Sequence, residues 1–89
     1  MEEILVHPRV TERHQELSAN DVRSAWMASI RAVPRLDRDP NEYIAIGSDS
    51  KGRLIEMIAR RVSKNVWLIF HALTPPTLKA LQELDMVSK

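Results

Sequence analysis

Eighty-nine residues and 10.2 kDa provide for a single domain, residues 1–89, around one core. With 44% hydrophobic and 28% charged residues, 2 Gly and no Cys, the composition excludes collagen-like, low-complexity and disordered classes, a disulfide framework, Cys-ligated metal and a thiol nucleophile. Thirteen Lys+Arg against twelve Asp+Glu give a formal charge of +1, so total charge does not mark a nucleic-acid binder. The acidic start Met1-Glu2-Glu3 and the short apolar run Ile4-Leu5-Val6 lack the pattern of a signal peptide. The longest apolar run, Val66 to Phe70, is far short of a membrane span, and a cytoplasmic protein with no membrane partner is expected.

His7-Pro8 predicts a short first helix that stops near Leu17, because proline at the first helical position has no amide hydrogen to lose. Ser18 with Asp21 three residues on reads as a capping box. Val22, Ala25, Trp26, Ile30 and Val33 then follow as an apolar stripe, predicting a second helix from Ala19 to Arg31 ended by Pro34, with Trp26 in the core. Arg35 to Asn41 reads as a polar loop. Tyr43 to Ser48, Arg53 to Val62 and Val66 to Leu73 are rich in β-formers, with turns at Asp49–Gly52 and Ser63–Asn65. Thr74-Pro75-Pro76-Thr77 opens a last helix, with Thr74 or Thr77 as cap and Leu78, Leu81 and Leu84 inward. The expected fold is α+β: two N-terminal helices, a three-stranded antiparallel meander and a C-terminal helix.

Hairpin parity assigns the faces, since a one-residue slip moves every side chain across the sheet. An even first turn sets Ile46 opposite Ile55, Ile44 opposite Met57 and Ala45 opposite Glu56. An even second turn puts Met57 and Ala59 on one face with Leu68 and Phe70. One face is then wholly apolar. The other carries Tyr43, Ala45, Gly47, Leu54, Glu56, Ile58, Arg60, Trp67, Ile69 and His71, a half-apolar surface with convergent polar groups.

Glu56, Arg60 and His71 suit metal-free cleavage of an RNA phosphodiester. Glu56 as base takes the proton of the 2′-hydroxyl, His71 as acid protonates the leaving 5′-oxygen, and Arg60 stabilises the charge on the phosphorane. The plainer readings are also open. Glu56 and Arg60 are roughly 13 Å apart along a strand and can pair with helix termini or other chain segments. His71 in an apolar run can be a hydrogen-bonded core group. Arg13 and His14, with Arg9, make either a phosphate-binding surface or a solvated helix face. Trp67 can stack a base or pack under a helix. His7 and His14 are two turns apart, about 10 Å, too far to share a metal; no metal or other cofactor is expected.

Arg13-His14, Leu17-Ser18 and Asp21-Val22 resemble the Lys-His-Gly-Val-Ser-Phe-Glu-Glu-Ala opening of BrnT-type toxins. Ile46-Gly47-Ser48 with Gly52-Arg53-Leu54-Ile55 is similar to their Ile-Gly-x-Ser-x-x-Gly-Arg-x-Leu hairpin. Val66 to Ala72 followed by Thr74 resembles their last strand. A His-Ala-x-x-Pro-Pro-Thr segment shared with small actinobacterial proteins is matched by His71, Ala72, Pro75, Pro76 and Thr77, and implies no activity. The BrnT resemblance implies a RelE-like fold and a toxin of a type II toxin–antitoxin system, a metal-free endoribonuclease that arrests translation and is neutralised by a cognate antitoxin protein. With it, Arg13, His14 and Arg53 are the expected RNA phosphate contacts. The alternative is a non-catalytic module whose Tyr43/Trp67/Ile69 face binds a partner protein or a second copy.

Overall fold

The computed structural model describes residues 2–88. Its elements are β1 (Glu3–Val6), α1 (Pro8–Arg13), α2 (Ala19–Met27), β2 (Ser29–Arg35), β3 (Asp39–Ser48), β4 (Leu54–Ser63), β5 (Val66–Leu73) and α3 (Leu78–Glu83). The strands form one five-stranded mixed sheet in the order β1-β5-β4-β3-β2. The short β1 runs parallel to β5, and the other neighbours are antiparallel. This corrects the expected three-stranded antiparallel sheet following two N-terminal helices. The α+β class stands, with helices α1 and α2 against one sheet face and α3 against the other.

The two added strands explain the correction. Ile4-Leu5-Val6 is too short to be recognised alone, yet it completes the edge of β5, pairing Ile4 with Trp67 and Val6 with Ile69. The capping box of Ser18 and Asp21 starts α2 at the expected residue. The helix ends at Met27, not Arg31, and the Ser29 hydroxyl donates to the Trp26 carbonyl at 2.6 Å as the chain turns back. Ile30, Ala32 and Val33 then extend β2, where β-branched residues fit the pleat better than a helix end. Pro34 sits in this edge strand, a position that tolerates a missing amide hydrogen.

The β3/β4 register is one residue off the expected one: Ile46 faces Glu56, Ala45 faces Met57 and Gly47 faces Ile55. The cause lies in the turn. The Asp49 amide donates to the Arg53 carbonyl, so Ser50, Lys51 and Gly52 make a three-residue loop, and Gly52 takes the left-handed conformation (φ 79°) such a loop needs. The Asp49 carboxylate accepts from the backbone amides of Lys51 and Arg53, both at 2.9 Å, and holds the turn. In β5 a bulge at Phe70 separates the pair Ile58–His71 from the pair Ala59–Ile69.

The expected single apolar face therefore divides into two cores. Ala45, Ile55, Met57, Ala59, Ile69 and Trp67 pack with Val10, Leu17, Val22 and Ala25 of the α1–α2 side. Ile44 and Ile46 pack with Ala80 and Leu84 on the α3 side. Leu84 is buried, but Leu78 is 62% exposed, so α3 turns Ala80 inward in its place. Trp67 lies between Trp26 and Tyr43, with ring centroids 5.3 and 5.0 Å away, and Arg61 stacks over its ring. Packing, not base stacking, occupies it. Trp67 and Ile69 are buried and Tyr43 half-buried, so the Tyr43/Trp67/Ile69 set is core and not a displayed face. Among the described residues, no helix is long and apolar enough to cross a membrane.

Candidate functional site

Glu56 and His71 come together on the α3 side of the sheet. Above the Phe70 bulge, Glu56 pairs with Leu73 and Ile58 with His71, which turns both polar side chains to the same face. His71 Nε2 lies 2.8 Å from Glu56 Oε2. The other carboxylate oxygen accepts from the Thr77 amide at 2.7 Å and from the Thr77 hydroxyl at 2.8 Å. Thr77 is the N-cap of α3, and its hydroxyl oxygen also accepts from the Ala80 amide. One buried carboxylate thus fixes both the imidazole and the start of the helix that covers it.

The arrangement sets the chemistry of each group. Burial pushes the Glu56 carboxyl upward, but the hydrogen bonds from His71 and Thr77 outweigh it and hold the group below its ordinary value. An ionised carboxylate only accepts, so Nε2 carries the hydrogen, and in the neutral ring Nδ1 carries the lone pair. Nδ1 has no hydrogen-bond partner among the described residues. Glu56, already accepting three hydrogen bonds and held below its ordinary value, is weakly basic and poorly suited to take a substrate proton. His71, about one-third exposed, is the group with a free basic nitrogen.

His71 borders a cavity of about 230 Å³ under α3, together with Arg38, Glu56, Ile58, Thr77 and Lys79. Arg35 and Glu83 close its far wall. Arg35, foreseen only as part of a polar loop, is buried and doubly neutralised, 3.0 Å from Glu42 and 2.7 Å from Glu83. Its partner Glu83 is 48 residues away, a separation no local pattern in the sequence reveals. Arg38 and Lys79 are exposed at the rim and form no ion pair among the described residues. They are the functional candidates that sequence reasoning missed: Arg38 sits in the β2–β3 turn and Lys79 is one of few polar residues in α3, and neither lies in a motif.

The remaining expected site residues are dispersed. Arg60 is on the same face as Glu56 but outside the cavity, half-exposed and bound to Asp39 at 3.3 Å and Glu42 at 3.7 Å. Arg53 is tied to Asp49 and Asp21 and donates to the Glu16 carbonyl, so it joins the hairpin to the start of α2. Arg13 and His14 border a second, smaller cavity beside α1, which also includes His71. Comparison of the chain with protein-family models, with curated proteins and with solved structures finds no match.

Proposed function

We propose that the protein is a metal-free endoribonuclease that works through His71, oriented by Glu56, in the cavity under α3. The observation that carries this reading is the Glu56–His71 pair itself: a buried carboxylate that accepts three hydrogen bonds holds one imidazole nitrogen and leaves the other without a partner among the described residues, in a cavity that Arg38 and Lys79 also line. Roles differ from those suggested by residue type alone. His71 Nδ1 takes the proton of the 2′-hydroxyl, whose oxygen attacks the adjacent phosphorus. The P–O5′ bond breaks, the 5′-oxygen takes a proton from water, the imidazolium returns its proton to the hydroxide so formed, and the products are a 2′,3′-cyclic phosphate and a 5′-hydroxyl. Lys79 and Arg38, in place of Arg60, stabilise the charge that builds on the phosphorane. Glu56 positions His71 and stabilises the imidazolium as it forms, as a carboxylate does in any carboxylate–histidine pair.

The sequence resemblance to BrnT-type toxins extends the reading to a toxin that arrests translation and is held inactive by a cognate antitoxin protein. Induced expression of the wild type, His71→Ala and Glu56→Ala, scored for growth and RNA integrity, tests it. Growth arrest with RNA breakdown in the wild type, and neither in His71→Ala, is expected. Uninterrupted growth with intact RNA in the wild type sinks the toxin reading.

A further inference from the structure

His71 lines two cavities. Besides the one under α3, it contributes with Phe70 and Ala72 to a cavity of about 100 Å³ walled by Arg9, Arg13 and His14. The two flank β5 where β1 has already ended: the last β1 pair is Val6 with Ile69, so among the described residues the strand edge beyond Ile69 has no neighbouring strand. The α1 helix turns off at that point, its entry fixed by the His7 amide donating to the Ile69 carbonyl. Arg9 and Arg13 are one helical turn apart, both exposed, and neither forms an ion pair among the described residues. Like charges at this spacing repel, and nothing acidic lines the cavity to offset them. On the other side of His71, Arg38 and Lys79 line the first cavity without an ion pair among the described residues, while its carboxylates Glu56 and Glu83 are engaged by His71 and Thr77 and by Arg35.

We infer that the second cavity binds the phosphate next to the scissile one, so that the substrate is a single-stranded RNA passing around the open edge of β5. The inference rests on the ribonuclease reading for the role of His71, and adds a binding subsite of Arg9 and Arg13 and a minimum substrate of two consecutive phosphates. A polyanion is the ligand chemistry recognised by four cations on both sides of His71, none of them ion-paired among the described residues. Double-stranded RNA is too broad and stiff to follow a strand edge from one sheet face to the other.

Binding of a 2′-O-methyl oligouridylate tests the inference apart from cleavage, since that probe has no free 2′-hydroxyl. Affinity is measured against salt for the full-length wild type, Arg9→Gln/Arg13→Gln, Arg38→Gln/Lys79→Gln and the charge-preserving Arg9→Lys/Arg13→Lys. All four positions are exposed, and unchanged melting temperatures confirm that the variants are folded. Each Gln pair is expected to lower the slope of log affinity against log salt by about 1.4, two contacts at about 0.7 each, while the Lys pair keeps most of it. A wild-type slope in Arg9→Gln/Arg13→Gln, with loss confined to Arg38→Gln/Lys79→Gln, overturns the second subsite and leaves the first cavity standing. Wild-type slopes in both Gln pairs, or no binding by any protein, overturn both readings. Loss in both pairs, with unmodified RNA left intact by the wild type, supports the track and overturns the catalytic step.

Discussion

Glu56 joins two jobs at one carboxylate, holding His71 and capping the entry to α3. That predicts how its replacement behaves with pH. The folded carboxyl titrates below its ordinary value of 4.5, so its contribution to stability is complete above that value and is lost as pH falls through the lower folded one. Glu56→Gln is expected to cost about 2 kcal/mol at pH 7, as charge-assisted bonds to a buried group are replaced by weaker ones. Urea midpoints of the two proteins should stay apart from pH 7 to about pH 5 and draw together as pH falls below 4.5. A gap as wide at pH 3 as at pH 7 contradicts the ionised hub. How the pair became visible in the sequence is instructive. Glu56 and His71 were expected on one face, and they share it, because the β4/β5 pairing above the Phe70 bulge has the expected parity. Trp67 and Ile69, expected beside them, lie across the sheet because the bulge intervenes, and bulges carry no reliable residue signature. The role of Arg60 was unreadable for another reason: its partners Asp39 and Glu42 come from a strand whose register depends on a turn seven to fourteen residues away from them.

At the scale of elements, the sheet is fixed to its helices by a few close contacts. Gly47 lies directly under α2, where an added Cβ would fall 1.8 Å from the Ala25 carbonyl oxygen. Backbone cannot yield there as a flexible side chain would. Gly47→Ala is expected to destabilise the fold by about 3 kcal/mol or more in urea titration, at or beyond the upper end for overpacked cores. On the opposite face, Arg35 joins β2 to α3 through Glu83 and to β3 through Glu42. Removing one partner of a buried pair leaves the others uncompensated, so Arg35→Ala is expected to cost about 3 kcal/mol and to speed amide exchange in α3 before the rest of the molecule. Pro8 made α1 legible at its start, and the caps Ser18 and Thr77 did so for α2 and α3; His7, Ser18 and Thr77 each accept a backbone hydrogen bond as N-caps. Strand β5 matches its expected span, Val66 to Leu73. β1 and β2 were not legible, since four residues are too few for a pattern and Ile30 with Val33 fits a helical stripe as well as a strand.

For the molecule as a whole, the charge of +1 conceals an uneven distribution. Arg35, Arg53 and Arg60 are consumed by carboxylates, whereas Arg9, Arg13, Arg38 and Lys79, in the two cavities that His71 borders, form no ion pair among the described residues. Total charge could not show this, because the pairing that cancels one set is a product of the fold. The same pairing makes the molecule sensitive to acid. For Asp49, burial pushes the carboxyl upward but its bonds to Arg53 and Lys51 prevail, and for Asp21 the Ser18 amide is the leading cause that lowers it. With Glu56 these groups all titrate below their ordinary values, so stability should be level near neutrality and fall steeply under about pH 4. Whether His71 acts as a base on RNA without a metal is decided by incubating a single-stranded RNA with purified wild type and His71→Ala in excess chelator and analysing the ends. Fragments ending in 2′,3′-cyclic phosphate are expected for the wild type, and a rate about 10²–10⁴-fold lower for His71→Ala. Intact RNA with the wild type, or equal rates for the two proteins, would contradict that role.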